Sequence, residues 1–430
     1  MKKVGVAILG LGVVGGGTYK ILEEHKEFYK KAHGLDITVE NVLELRKERA
    51  LELGISESKI ASNMAEICSN PDVDIVIEVM GGVEPAKTFV LAALNAGKSV
   101  VTSNKELFCK YSHELEKAAR KKNCGLYYEA SCVGGVPVIR ALLDNLQGNK
   151  ITSMMGIING TTNYILTKMS AANGGFSYAD VLKEAQSLGY AEANPTADVE
   201  GYDASYKLSI LSSLAFHTKI PFSKVYREGI TNVAAEDIVY GKQLGYVLKL
   251  LAIGKNTDKG IEVRVHPTLI KSSHPLASVN DSYNAVYITG DAVEDVMLYG
   301  RGAGALPTGS AIVGDVIYCA KQNQNYQYST FNNTEEADPS TKFIDNFKSA
   351  YYIRMTAVDR TGVLSKVSAV FARYGISVAQ MIQEGDGNSG EVPLIFVTHE
   401  TKENNVKKAI ADINSTNDIA TVKSFIRVVE

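Results

Sequence analysis

Cysteine is scarce in this chain. Cys68, Cys109, Cys124, Cys132 and Cys319 are odd in number, widely spaced and without a C-x-x-C pair. That pattern argues against a zinc or disulfide framework and suits a reducing compartment. Long apolar runs are missing too: no stretch reaches the roughly eighteen residues that a membrane span requires. Nor is there an excess of one charge. The formal charge is -3, spread along the sequence, so no basic footprint for nucleic acid exists. The opening MKKVGVAILGLGVVGGG has the basic start and apolar run of a secretory signal. Its glycines, however, lead into TYKIL as a tight turn leads into a helix, and no convincing small-residue cleavage site follows. A cytoplasmic protein with neither membrane nor nucleic-acid partners is expected.

What the chain does contain is length and periodicity. Its 430 residues exceed one ordinary core and imply two or three domains. KVGVAILGLG reads as a buried strand, followed by helix, by the strand DITVENVLEL, and then by VDIVIEVMGG, KSVVTSN and CGLYYEA separated by helical segments. Strands alternating with helices predict a doubly wound parallel sheet of the Rossmann type over residues 1–130, with ligands at the carboxyl ends of the strands. Residues 131–300 read as a less regular α+β domain whose sheet order the pattern does not give. Polar KQNQNYQYSTFNNTEEADPS predicts a solvated linker or a surface excursion, placed at 326–349. Residues 350–430 give strand, helix, strand, strand, helix, strand, the order of a small ferredoxin-like unit.

GLGVVG forms a G-x-G-x-x-G between that first strand and a helix, the context that makes the motif specific for a dinucleotide. Gly10 serves the tight turn, Gly12 lets the backbone approach a pyrophosphate, Gly15 lets helix and strand pack, and Val13 and Val14 open the helix whose amides meet the negative charge. Glu44, at the end of the second strand, suits a ribose 2'-hydroxyl and leans the reading toward NAD. Arg46, Lys47 and Arg49 follow at once and keep NADP open. Downstream, YGRGAGALPTGSAIVGDVIY, with Gly302 and Ala303, is either a flexible loop before a core helix or an element that closes the nucleotide domain, at about 300–325.

A second cluster concerns lysines. Asp203 and Lys207 stand one helical turn apart, a spacing that by default is a surface ion pair of a few tenths of a kcal/mol, roughly. Three features tilt against the default: Asp203 lies in the first turn, Glu192, Asp198 and Glu200 cluster beside it, and LSILSSLAF makes the helix beyond Lys207 mostly apolar. A partly buried lysine can exchange a proton with an alcohol or carbonyl oxygen. Lys105, with Ser103 and Asn104 just past a strand, is either a solvent lysine at a helix start or a group facing coenzyme and substrate. Glu129 and the Gly134-Gly135 turn suit a hard cation or an ordinary turn equally. Asn159, Gly160, Thr161, Thr162 and Asn163 suit a helix cap or a set of hydrogen-bond donors.

In order, GLGVVG, VMGGVEPA, TSNKELF, YYEASCVGGVPVI, GIINGTTNYIL, GYAEANPTADVEGYDASYKLSIL and GAGALPTGSAIVGD closely resemble homoserine dehydrogenase over residues 1 to about 325. NGTTNYIL and DVEGYDASYKL are the most specific. AVDRTGVLSKVSAVFARYGISV resembles an ACT domain, a small amino-acid-sensing module. The resemblance implies reversible NAD(P)-dependent interconversion of L-aspartate 4-semialdehyde and L-homoserine, in a dimer or higher homo-oligomer with L-threonine as a candidate effector. Carried onto matching positions, it implies Lys207 and Lys105 around the reacting oxygen and Glu192 on the substrate ammonium. It makes Asp203 an orienting acid and adds Asp198, Gly160 and Thr161 to the substrate pocket. Glu129 with the carbonyls of Cys132, Gly134 and Val136 would hold a monovalent cation, commonly sodium.

The chain departs from the family pattern at four places. Asn194 stands where an aspartate is frequent, and Leu43 where an arginine is often found, which weakens the case for NADP. Cys132 and Val133 replace small or simple residues and glycine. Thr361 replaces the proline of a D-x-P-G turn, which leaves effector binding open. Two other classes compete: a different amino-acid-pathway dehydrogenase, against which Glu192, Asp203 and Lys207 argue together, and a non-catalytic nucleotide and amino-acid sensor, which has no need of two lysines at a reacting oxygen.

Overall fold

The computed structural model describes residues 1–171, 176–322, 328–384, 390–416 and 420–429. Strands β1 (Lys2–Leu9), β2 (Leu35–Leu43), β3 (Ile75–Glu78), β4 (Ser99–Thr102) and β5 (Leu126–Tyr127) form a parallel sheet of order β2-β1-β3-β4-β5. The chain leaves β1 for β2 on one side and then crosses to β3 on the other. This reversal opens a crevice at the carboxyl end of β1, where an open α/β sheet takes its ligand. The strands are nearly continuous runs of Val and Ile because helices cover both faces.

One covering helix comes from far downstream. Ala305–Lys321 places Ile312 and Val316, both fully buried, in one core with Val6, Ile8, Ile77 and Val101. It lies directly on the first helix, Val13–Glu24: a Cβ on Gly17 would sit 2.3 Å from the Ala305 carbonyl oxygen. The segment 299–318 thus leads into a helix that packs in the core of the parallel-sheet domain. Burial of each such side chain is worth about 1.5–3 kcal/mol.

The larger sheet begins with β6 (Ile151–Ile157). It continues through β7 (Tyr226–Arg227), β8 (Tyr246–Thr257), β9 (Gly260–Lys271), β10 (Tyr283–Gly290) and β11 (Glu294–Arg301). The C-terminal unit contributes β12 (Lys348–Val358), β13 (Val378–Gln383), β14 (Glu391–Thr398), β15 (Thr401–Lys402) and β16 (Ala420–Val429). Within that unit the order β16-β12-β14-β13 is ferredoxin-like, as the element order predicts. The two halves form one sheet, β11-β10-β6-β8-β9-β16-β12-β14-β13. Arg427–Val429 of β16 pair in parallel with Thr268–Ile270 of β9. Sequence periodicity carries no signal for this junction, because pairing partners so distant leave no local pattern.

The first described part of the expected linker runs over the surface of the nucleotide domain. Glu116 is a buried acid on the helix Lys105–Lys122, and its carboxylate needs donors. It takes them from Ser329 N (3.1 Å), Ser329 Oγ (2.6 Å) and Asn333 Nδ2 (2.8 Å), while Arg120 lies over the Tyr328 ring. Residues 328–333 are therefore strapped to the nucleotide domain. Positions 326 and 327 of that linker lie outside the described residues.

Candidate active site

The glycine turn has the geometry a dinucleotide requires. Gly10, at φ +92°, donates its amide to the Leu43 carbonyl at 2.9 Å and occupies backbone space closed to L side chains. A Cβ on Gly15 would fall 2.0 Å from the Gly10 oxygen, so the helix start packs against the turn only with hydrogen there. A Cβ on Gly12 meets nothing within 4 Å, and this open side, at the N-cap of Val13–Glu24, is where a pyrophosphate reaches the free amides. The Glu44 carboxylate accepts from Leu11 N at 2.7 Å and from Arg46 N at 3.0 Å. Burial alone would raise its pKa, but those amides outweigh it and hold it below the ordinary value. Arg49 donates from Nε to the Leu11 carbonyl at 3.2 Å, while Arg46 points largely into solvent. Basic and acidic groups thus both flank the adenosine side.

Across the crevice, the helix Lys105–Lys122 of the first domain packs beside the helix Tyr202–Ala215 of the second, with Cys109 Sγ 3.3 Å from Ser209 Oγ. Their N-terminal ends come together. Asn104 caps the first, accepting from Leu107 N at 3.0 Å and donating to the Gly82 carbonyl at 2.6 Å. Gly201, at φ +77°, turns the chain into the second. Asp203 sits between two ammonium groups: Lys105 Nζ is 3.0 Å from Oδ1, and Lys207 Nζ is 2.6 Å from Oδ2. Lys207 also donates to the Ile158 carbonyl at 2.9 Å. Asn159 Nδ2 bridges Asp203 (2.9 Å) and Asp198 (2.7 Å).

Burial tends to raise the Asp203 pKa, yet Lys207 and Lys105 together hold this carboxyl well below the carboxylate range. Asp203 in turn raises the Lys105 pKa, against the downward pull of burial. Asp198 goes the other way, raised by burial and by the nearby Asp203 charge. The surface ion-pair reading fails here, since Asp203 and Lys207 are only 5% and 8% exposed.

Other expected residues make local contacts of their own. Thr161, one residue into the helix Gly160–Ala171, donates to the Tyr190 carbonyl at 2.8 Å and so anchors the loop that carries Glu192. Glu192 itself is exposed, and its backbone carbonyl accepts from Gln186 Nε2 at 3.1 Å. Asn194 accepts from the Thr196 hydroxyl at 2.7 Å at the start of the short helix Thr196–Val199, where an aspartate would accept equally. Ser103 lies on the turn between β4 and the helix, its amide directed to the Glu78 carbonyl at 3.3 Å. Gly302 packs on the Gly134-Gly135 turn so tightly that a Cβ on Gly134 would sit 2.4 Å from its oxygen, and Ala303 N lies 3.0 Å from the same point.

Glu129 does not end a strand, as the sequence suggests, but opens a short 3-10 turn, Glu129–Ser131. Its oxygens accept from Ile139 N (2.9 Å) and Arg140 N (2.6 Å), while Arg140 is paired with buried Asp315 at 2.8 Å. Burial, followed by the Asp315 charge, pushes Glu129 up to about 7. Val133 is held at φ +57°, a strained position for a β-branched side chain. Burial pushes the Cys132 thiol up to about 12, which makes it an inert wall beside the Lys207 backbone.

Glu78 and Asp315 escape sequence reasoning. Glu78 is fully buried at the carboxyl end of β3, accepts from Thr102 Oγ1 at 2.6 Å and Met80 N at 2.9 Å, and so ties together the turns that lead to Asn104. An acid closing the apolar run Ile75–Ile77 is the available signal. Asp315, the single carboxylate of an otherwise apolar helix, offers a similar one.

A glycine turn at the mouth of a parallel sheet, facing two lysines on one buried carboxylate, defines an NAD(P)-dependent oxidoreductase. Family profiles agree in detail: "Homoserine dehydrogenase, NAD binding domain" matches residues 10–129, "Homoserine dehydrogenase" residues 137–317, and "ACT domain" residues 351–417. The homoserine dehydrogenase of Neisseria gonorrhoeae is 40% identical, with 100% of this chain and 99% of that protein covered. That of Bacillus subtilis is 38% identical over 100% and 99%. The crystal structure of a homoserine dehydrogenase from Thiobacillus denitrificans superposes with a TM-score of 0.92 at 39% identity, covering 100% and 99%. The chain belongs to the homoserine dehydrogenase family. A hyperthermophilic archaeal homoserine dehydrogenase solved with NADPH is similar over 74% of this chain, with a TM-score of 0.63 and 28% identity.

Proposed function

We propose that the chain interconverts L-aspartate 4-semialdehyde and L-homoserine, with Lys207 as the proton donor in reduction and Lys105 as its partner at the reacting oxygen. The observation that carries this reading is Asp203, which holds the two ammonium groups at 2.6 and 3.0 Å on its separate oxygens. The nicotinamide supplies or accepts the hydride at the carbonyl carbon. Lys207, buried and tethered at two points, holds its remaining N–H toward the alkoxide that develops there. Oxidation reverses the proton transfer and gains from raised pH. Glu192 pairs with the substrate ammonium, and Asp198, Gly160 and Thr161 complete the pocket.

NAD is the favoured coenzyme, because Glu44 follows β2 directly and Leu43 stands where the family often carries an arginine. The backbone of Gly10–Gly15, Ser103–Lys105 and Gly302–Ala303 encloses it. A monovalent cation, sodium by family likeness, belongs beside Glu129 and the carbonyls of Cys132, Gly134 and Val136. A buried carboxylate raised to about 7 fits a site that takes a counter-charge. The ACT unit takes an amino acid, L-threonine, at the turn Asp359–Gly362, where a cavity of about 200 Å³ is lined also by Gln383 and Leu394. Residues 1–130 closed by 300–325, 131–300 and 350–430 act as nucleotide, substrate and regulatory domains in a cytoplasmic homodimer built on the middle sheet. Among the described residues no helix is long and apolar enough to cross a membrane.

Initial rates of L-homoserine oxidation with NAD and NADP in parallel, with and without L-threonine, test the reading. Homoserine-dependent coenzyme reduction, faster with NAD and inhibited by threonine, is the expected result. No activity in either direction with sodium or potassium present would overturn it.

A further inference from the structure

Two residues directly after β6 touch the whole cluster of acids and lysines. The Ile158 carbonyl accepts from Lys207 Nζ at 2.9 Å, and the Asn159 side chain, 5% exposed, uses both ends of its amide. Its oxygen accepts from Thr162 N and from Thr162 Oγ1, each at 2.9 Å, and so caps the helix Gly160–Ala171. Its nitrogen donates to Asp198 Oδ1 at 2.7 Å and to Asp203 Oδ2 at 2.9 Å. Helix cap and hydrogen-bond donor, alternatives from the sequence, are opposite ends of one group. The cap also decides which end faces the acids: a backbone N–H at Thr162 requires the oxygen, so the nitrogen turns toward the carboxylates.

Two carboxylates gathered on one nitrogen repel unless each is answered. Asp203 is answered by Lys105 and Lys207. Asp198 is partly exposed and has no ion pair among the described residues. Burial and then the Asp203 charge raise the Asp198 pKa, and the Asn159 amide opposes both.

We propose that Asn159 is a positioning residue of the reaction: by donating to both acids at once, it keeps Asp203 on the two lysines and presents Asp198 to the amino-acid substrate as a separate, ionised acceptor. This role rests on the homoserine reading above, in which Asp198 belongs to the substrate pocket. Asn159 itself need not touch the substrate, since its effect runs through Asp198.

Asn159→Ser and Asn159→Asp test the role, because serine and aspartate cap a helix about as well as asparagine does. Serine keeps the cap and has no amide to reach the acids. Aspartate keeps the cap and sets a third carboxylate against them. KM for L-homoserine should rise about tenfold in Asn159→Ser and further in Asn159→Asp, with kcat changed less than KM and coenzyme affinity unchanged. The charges around position 159 are Asp198, Asp203, Lys207 and Lys105. In the reducing direction, where the lysines start protonated, lowering the pH from about 8 to about 6 lets the new carboxyl, crowded by Asp198 and Asp203, take up a proton and donate again. The KM penalty of Asn159→Asp relative to the native chain should therefore shrink as pH falls. A native KM in either variant, or a penalty in Asn159→Asp indifferent to pH, overturns the proposal and leaves Asn159 as a helix cap alone. An inactive native chain would instead overturn the reaction on which the role rests.

Discussion

Replacing Lys207 by alanine isolates the proposed proton transfer. An ammonium has three N–H donors. Asp203 Oδ2 takes one at 2.6 Å and the Ile158 carbonyl a second at 2.9 Å, which leaves one for the substrate oxygen. Loss of a positioned acid–base group costs about 10²–10⁴ in rate, or about 2.7–5.4 kcal/mol in activation free energy. Lys105 stays paired with the other oxygen of Asp203, so the carboxylate is not orphaned and the fold tolerates the change. A fall in kcat of about 10³ is expected, measured as reduced-coenzyme formation from L-homoserine. Coenzyme affinity, measured by fluorescence titration, should stay within about twofold, because the glycine turn rests on other elements. Added methylamine should restore part of the rate. A loss under tenfold, or a parallel loss of coenzyme affinity, refutes the assignment.

Asp203→Asn keeps the shape and strands the buried Lys207 ammonium; breaking such a pair costs about 3–5 kcal/mol, and urea unfolding that shows less than about 1 kcal/mol contradicts the reading. Gly12→Ala should fold normally and lose coenzyme affinity, whereas Gly15→Ala, whose Cβ lands 2.0 Å from the Gly10 oxygen, should lower Tm as well; equal behaviour of the two would rule out the distinction. His266 is fully buried, and its pKa is depressed well below the ordinary value by burial, then by Arg427 and Arg264. The unfolded chain binds a proton below about pH 6.5 and the folded chain does not, so acid favours unfolding by up to about 1.4 kcal/mol per pH unit. His266→Gln should flatten that slope in urea titrations at neutral and mildly acid pH, and an unchanged slope would exclude His266 as the source.

Local features were the legible ones. GLGVVG sat between a strand and a helix, so its context specified the turn, and the fourfold spacing of Asp203 and Lys207 put both on one helix face. What periodicity withheld was long-range. That Lys105 reaches Asp203 depends on two helices from different domains packing with their N-terminal ends together, and that Asn159 joins Asp198 to Asp203 depends on a third segment. Glu78 reads as the polar end of a strand until the turns it hydrogen-bonds are seen. Polar residues 328–333 leave a solvated linker and a surface excursion equally open until the buried Glu116 that takes their donors is seen.

The pairing of β16 with β9 also bears on the order of events during synthesis. β9 has one flank on β8 and the other covered piecemeal by Tyr226–Arg227, a bridge from Phe343, and Arg427–Val429. Thr268–Ile270 therefore wait as a bare edge until the whole C-terminal unit has left the ribosome, and a bare edge is a template for pairing with another chain. A truncation before β16 would not simply remove the ACT unit. It would leave the catalytic sheet permanently in that unfinished, aggregation-prone state.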